Sequence, residues 1–282
     1  MESKICMVTG ATSGIGQVTA RELARQGATV IVVGRSRERS EATVNRIKQQ
    51  TDNPNVEYRL ADLSVQKDIH QLAQEFKHKY QRLHVLVNNA GAIFLRRLES
   101  ADGIEMTFAL NHLNYFLLTH LLLDTLKASA PARIINVSSR AHARVSGLNF
   151  DDLQNKRGYG MNVYGQSKLM NVLFTYELAR RLEGTGIMVN ALHPGFVATR
   201  FATNNGLLVR LARPVLDLFA LSAEEGAQTM IYLATSPEVE GVTGKYFVKE
   251  KAVLSSPASY DEAAARRLWQ ISEKMTSLPV AG

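Results

Sequence analysis

The chain has 282 residues, 45% of them hydrophobic and 21% charged, an ordinary globular composition with length enough to bury a full core. Its net charge of +7 is scattered along the sequence, with no long basic run interleaved with aromatics, so nucleic acid is not an expected partner. A single cysteine, Cys6, excludes an internal disulfide and a thiolate metal cluster.

In chain order, MESKICMVTG enters a strand-like run almost at once and leaves no room for a signal peptide. No apolar run approaches the ~18 residues of a membrane span. A soluble, cytoplasmic protein without a transmembrane anchor is the expectation. After the first strand come a helical pattern from Ile15 to Gln26, the strand-like ATVIVVG, and a charged helical stretch from Arg37 to Gln50. VEYRL, LHVLVNNAG, ARIINVSS and GIMVNALHPG follow, each separated by a segment long enough for a crossover helix. Runs rich in Val and Ile, apolar on both faces and spaced in this way, describe a parallel sheet covered by helices on both sides. The fold class is therefore α/β, a Rossmann-type doubly wound sheet, expected as one domain over 1–282. The longest irregular piece, 140–163, lies between a strand and a helix as an excursion from the sheet.

Directly after the first strand stands TGATSGIG, which opens a helix. Gly10, Gly14 and Gly16 form G-x-x-x-G-x-G, which differs from the G-x-G-x-x-G dinucleotide fingerprint. Glycines let the backbone turn tightly and approach a ligand closely, and the helix N-terminus offers unpaired amides to a phosphate. Thr12, Ser13 and Ile15 share this turn and join the three glycines as candidate cofactor residues.

This turn, together with NNAG (Asn88 to Gly91), the Asn of ALNHLNYF, the NVSS run ending at Ser139, YGQSK and HPGFVAT, resembles the short-chain dehydrogenases/reductases. The motifs run in order from about Thr9 to Thr199 and cover most of the chain. The resemblance implies that Asp62 and Leu63 flank an adenine, and that Asn88, Ala90 and Gly91 line the cofactor cleft. It also implies that Pro194 and Gly195 redirect the chain past a nicotinamide whose carboxamide meets Val197 and Thr199.

After the second strand, where an NAD-preferring site usually carries an acid for the ribose hydroxyls, this chain has Gly34 and Arg35. A carboxylate would repel a 2′-phosphate, whereas the guanidinium fork pairs with one. NADP(H) is the expected cofactor, with Arg35 the residue that selects it. Arg37 and Arg39 read as solvated helix charges.

Tyr164 and Lys168 stand four residues apart, one helical turn, on one face. Hydride transfer to a carbonyl carbon leaves charge on oxygen, which a positioned acid must neutralise, and a tyrosine near pH 10 is too weak an acid unaided. A neighbouring ammonium favours the phenolate. Ser139, at a strand end, can hydrogen-bond the substrate oxygen. Ser138 beside it is equally good on chemistry alone, and the resemblance selects the second serine. Asn111 completes the family's catalytic set, its role there being to hold a water that links Lys168 to solvent. His84, His112, His142 and His193 read as structural, and no cluster has metal-ligand spacing. A regulator that kept the fold without the chemistry would lack the tyrosine or the lysine, and both are present.

The long Ser139–Tyr164 spacing, LNFDDL, the KLMNVLFTYELARRL helix and a late GKYF followed by RRLWQISEKM resemble the retinol dehydrogenase branch. That resemblance implies a lipophilic aldehyde, ketone or alcohol as substrate. The apolar segment Gly206 to Leu221, within about 200–222, would serve as a lid over it, with a core helix pair or a subunit contact as alternatives. FTYELARRL offers an apolar stripe for a possible homo-oligomer.

Overall fold

The computed structural model describes residues 1–196 and 221–277. Val197, Thr199 and nearly all of the expected lid lie outside the described residues. Strands β1 (Ile5–Thr9), β2 (Thr29–Gly34), β3 (Val56–Leu60), β4 (Val85–Asn88), β5 (Ala132–Val137), β6 (Ile187–His193), β7 (Lys245–Val248) and β8 (Lys251–Val253) form one sheet. Their order is β3-β2-β1-β4-β5-β6-β7-β8, parallel except for the antiparallel β8 at the edge. The order reverses between β1 and β4, and such a switch point opens a crevice at the carboxyl ends of the strands.

Alternation of side chains sends successive residues of each strand to opposite faces. Met7, Ile31, Leu86, Ile134 and Val189 pack on one side, against α3 (Gln66–Lys79), α5 (Asn114–Leu121) and α7 (Met161–Arg181). Cys6, Val8, Val30, Val32, Val87 and Val137 pack on the other, with α1 (Gly14–Arg25), α2 (Arg37–Thr51) and α8 (Ala223–Thr235). Cys6 is buried in this layer, and desolvation pushes its thiol up to about 12, leaving it inert.

The helix that delivers Asn111 is irregular. It starts as α4 (Met106–Phe108), passes through a π-helical turn at Ala109–Leu113 and continues as α5, with α6 (Leu123–Lys127) after a break. Such single π turns are frequent at functional sites. Buried Glu105 caps its start, accepting from the amides of Thr107 at 2.7 Å and Phe108 at 2.8 Å.

The helix α9 (Glu262–Met275) packs on α7. Phe174, Leu178 and Ala179 of the FTYELARRL stripe share a core cluster with Trp269 of α9, and the Arg181 guanidinium lies 4.1 Å from the Trp269 ring. This part of the stripe is covered by the chain's own helix. The excursion at 140–163 is likewise tied down. Leu153 joins a cluster with Ile104, Phe108, Leu173 and Leu268, and Tyr159 donates to Glu105 at 3.1 Å. Among the described residues no helix is long and apolar enough to cross a membrane.

Candidate active site

The turn after β1 forms one wall of the crevice. Gly10 and Gly14 take φ of +64° and +57°, conformations that favour glycine. A Cβ on Gly16 would stand 2.5 Å from the Asn89 amide nitrogen and 2.7 Å from the Gly10 carbonyl. Ser13 precedes α1 without a side-chain cap, and no acid occupies the first turn, so the first amides of the helix remain open to an anion. A glycine cradle facing uncapped amides fits the pyrophosphate of a dinucleotide.

The opposite wall is the end of β4, and the two are stitched together. The Thr9 hydroxyl donates to the Val87 carbonyl at 3.2 Å and accepts from the amides of Asn89 at 2.9 Å and Ala90 at 3.0 Å. The Asn89 side chain returns a bond to the Thr9 carbonyl at 2.8 Å. Nothing in the NNAG motif itself distinguishes Asn89 for this role, and Thr9 stands outside it. Asn88 is 0% exposed, and its side chain donates inward to Thr119 at 3.0 Å and Asn136 at 2.9 Å. Leu63 is also a core residue by its side chain, while Asp62 accepts from the amide and hydroxyl of Ser64 and shapes the loop after β3.

At the end of β2, a Cβ on Gly34 would meet the Thr12 methyl at 2.5 Å and the Ser40 hydroxyl at 2.9 Å, so close packing leaves no room for an acidic side chain there. Arg35 is exposed beside it. Arg37, by contrast, is engaged with Tyr58 at 3.0 Å and Glu41 at 3.6 Å.

The Asn111 side chain is engaged at both its oxygen and its nitrogen. It accepts from the Ala92 amide at 2.9 Å and donates to the Ala92 carbonyl at 3.0 Å and to the Ser167 hydroxyl at 3.1 Å. The side chain therefore welds the loop after β4 to α7. Gly91 sits alongside, where a Cβ would fall 3.0 Å from the Asn111 Oδ1 and 3.7 Å from the Lys168 Nζ.

On α7, the Lys168 Nζ lies 5.7 Å from the centre of the Tyr164 ring and donates to the Val137 carbonyl at 3.0 Å. Lys168 is 2% exposed, and burial pulls its ammonium down to about 7. Burial also drives the Tyr164 phenol well above its ordinary range, with a hydrogen bond to Ser139 acting against it. The two serines are distinct in place: Ser138 is buried and donates to the Lys168 carbonyl at 2.8 Å, whereas Ser139 caps a 3-10 turn (Arg140–Arg144) and reaches Tyr164. Pro194 and Gly195 follow β6, Gly195 with φ of +92°. No cluster of three or more metal-ligating side chains occurs among the described residues.

The model of the family described as short chain dehydrogenase matches residues 4–207. Retinol dehydrogenase 14 of Mus musculus is 44% identical over 99% of this chain and 87% of its own length. Polyprenol dehydrogenase of Homo sapiens is 42% identical over 98% of this chain and 86% of its own. Among solved structures, the Pseudomonas aeruginosa RhlG/NADP active-site complex is similar with a TM-score of 0.69 and 30% identity, covering 88% of this chain and 94% of that one.

Proposed function

The chain belongs to the short-chain dehydrogenase family, and on that premise we propose that it is an NADP(H)-dependent oxidoreductase interconverting a lipophilic aldehyde or ketone and its alcohol. The observation that carries the reading is the Ser139–Tyr164 hydrogen bond with the Lys168 ammonium over the tyrosine ring. In reduction, the carbonyl carbon gains a hydride and the carbonyl oxygen gains the phenolic proton of Tyr164. Ser139 donates to the same oxygen and stabilises the charge that develops there. In oxidation the proton returns to the phenolate. The nicotinamide, when bound, supplies or receives the hydride.

Lys168 holds a positive charge one helical turn from the phenol and offers donors to a ribose. Its buried setting disfavours that charge until polar partners arrive, so cofactor binding and acid tuning are linked at this one side chain. Gly10, Gly14 and Gly16 with the amides of Thr12, Ser13 and Ile15 cradle the pyrophosphate, while Asp62, Leu63, Ala90 and Gly91 border the nucleoside. Pro194 and Gly195 carry the chain past the nicotinamide, with Val197 and Thr199 assigned to its carboxamide. The substrate class follows the names of the relatives, retinol and polyprenol dehydrogenases.

Arg35 pairs with the 2′-phosphate, and the crowding at Gly34 supports a site without an acid. Arg35→Asp removes the guanidinium and adds a repelling carboxylate. The ratio of kcat/KM for NADPH over NADH should fall about tenfold to a hundredfold, the loss expected for a charged hydrogen bond. An unchanged ratio in steady-state turnover would remove Arg35 from the account.

A further inference from the structure

His142 lies in the 3-10 turn that begins after Ser139 and is 3% exposed. Its two ring nitrogens have partners that leave no choice of proton. The Nε2 stands 3.0 Å from the backbone nitrogen of Ser256, an obligate donor, so Nε2 must accept. The Nδ1 stands 2.6 Å from the Ser139 carbonyl oxygen, an obligate acceptor, so Nδ1 must carry the proton. The His142 backbone amide donates to that same carbonyl at 3.1 Å. One residue thus grips the peptide of Ser139 twice.

The far end of this link is also built. The Ser256 carbonyl accepts from the Ser259 hydroxyl at 2.6 Å. Ser259 in turn hydrogen-bonds Ser255 at 2.6 Å, and the Ser255 hydroxyl meets the Tyr176 phenol at 2.7 Å. Tyr176 stacks on Tyr260 with ring centres 5.4 Å apart. Tyr176 lies on α7, the helix that carries Tyr164. The imidazole itself packs on the Tyr246 ring at 4.8 Å. The chain of contacts therefore runs from Ser139 through His142 to the turn at Ser255–Ser259, and through Tyr176 back to the helix of Tyr164.

We infer that His142 is a positioning residue for Ser139: as a neutral imidazole it donates from Nδ1 to the Ser139 carbonyl and accepts at Nε2 from Ser256, so that the C-terminal turn docked on α7 holds the serine hydroxyl at the tyrosine. The inference rests on the catalytic reading of Ser139 and Tyr164 given above. A side chain held in a productive geometry by its neighbours raises turnover, and small displacements cost much of that gain.

Two variants separate this role from plain packing. His142→Phe keeps a ring against Tyr246 and loses both bonds. Ser256→Pro leaves the imidazole in place and deletes the backbone donor to it, together with a buried serine hydroxyl that has no hydrogen-bond partner; the Ser256 backbone, at φ −67° and ψ 151°, fits a proline ring. With NADPH and decanal, His142→Phe should lower kcat about tenfold or more, and Ser256→Pro should lower it in the same direction, while the KM for NADPH stays within about twofold. His142→Asn, whose amide takes the place of Nδ1–H but leaves the Ser256 amide without its acceptor, should recover only part of the loss, to about the level of Ser256→Pro. In ¹⁵N NMR of the intact protein the His142 ring should be neutral with its proton on Nδ1, a readout that needs no substrate.

A proton on Nε2, or a kcat within about twofold of the parent in both His142→Phe and Ser256→Pro, would overturn the inference. Tyr164→Phe, assayed alongside, tells the two levels apart. Full turnover in that variant sinks the catalytic reading and this inference with it. A dead Tyr164→Phe beside fully active His142 variants sinks the inference alone.

Discussion

Tyr164→Phe is expected to lower kcat by about 10²- to 10⁴-fold, the usual worth of a positioned general acid, with NADPH affinity nearly unchanged. The substitution removes one oxygen and keeps the ring against Lys168. The lost hydroxyl is the proton donor of the proposed reduction, and among the described residues no second phenol or acid is assigned to its place. Ser139 reaches the same region, but an aliphatic hydroxyl is a far weaker acid than a phenol. Its own role is to donate a hydrogen bond to charge that appears later. The phenol hydrogen-bonds Ser139, and loss of one such bond, worth about 1 kcal/mol, should move the melting temperature little. Steady-state turnover of decanal with fluorescence titration of NADPH checks both halves of the expectation.

Lys168→Met should give a protein that is inactive and at least as stable as the parent. The lysine is buried and donates to the Val137 carbonyl at 3.0 Å. Replacing a buried charge by an apolar side chain of similar volume is often neutral or stabilising. Its folded-state value of about 7 lies below the ordinary 10.5. Above pH 7 the unfolded chain therefore keeps a proton that the folded lysine gives up, and stability rises with pH through that window. The histidines His84, His112, His120, His142 and His193 are shifted down from 6.5 and act below this range. The buried tyrosines, shifted up, act above it, where the unfolded phenol ionises first and stability falls again.

The cofactor-free parent should accordingly melt at higher temperature at roughly pH 9 than at pH 7, and Lys168→Met should lose that slope. Scanning calorimetry at both values measures it. An identical slope in the variant would mean that the lysine is not the titrating group. Turnover should fall about 10²-fold or more, since the variant loses both the charge beside the phenol and the donors offered to the ribose.

Strands β1, β2 and β4 to β6 are legible in the sequence because they are apolar on both faces, as a covered parallel sheet requires. The short edge strand Lys251–Val253 is exposed throughout and leaves no such signature. The glycine turn is legible for a local reason, since the left-handed conformations at Gly10 and Gly14 follow from positions in one loop. Adjacent residues of like chemistry are harder. Asn88 and Asn89 are identical by composition, yet strand alternation turns the first into the core and lets the second join the walls of the crevice. Ser138 and Ser139 divide in the same way, one spent on the Lys168 carbonyl and one left beside Tyr164.

Partners distant in the chain leave no local trace. His142 reads as a structural histidine until Ser256, 114 residues away, appears at its Nε2. The closure of the FTYELARRL stripe by Trp269 is of the same kind, because an apolar helix face does not announce what covers it. The π-helical turn that carries Asn111 is also silent, since ALNHLNYF reads as a continuous helix.

Hydride transfer to a lipophilic carbonyl is the central claim, and isotopic labelling tests it most directly. NADPH deuterated at both C4 positions of the nicotinamide would be incubated with the protein and decanal, and separately with all-trans-retinal, and the alcohol examined by mass spectrometry. The account predicts one deuterium on the carbinol carbon of at least one alcohol, formed in step with NADPH loss and abolished by Tyr164→Phe. Tight NADPH binding with no labelled alcohol from either substrate would contradict it.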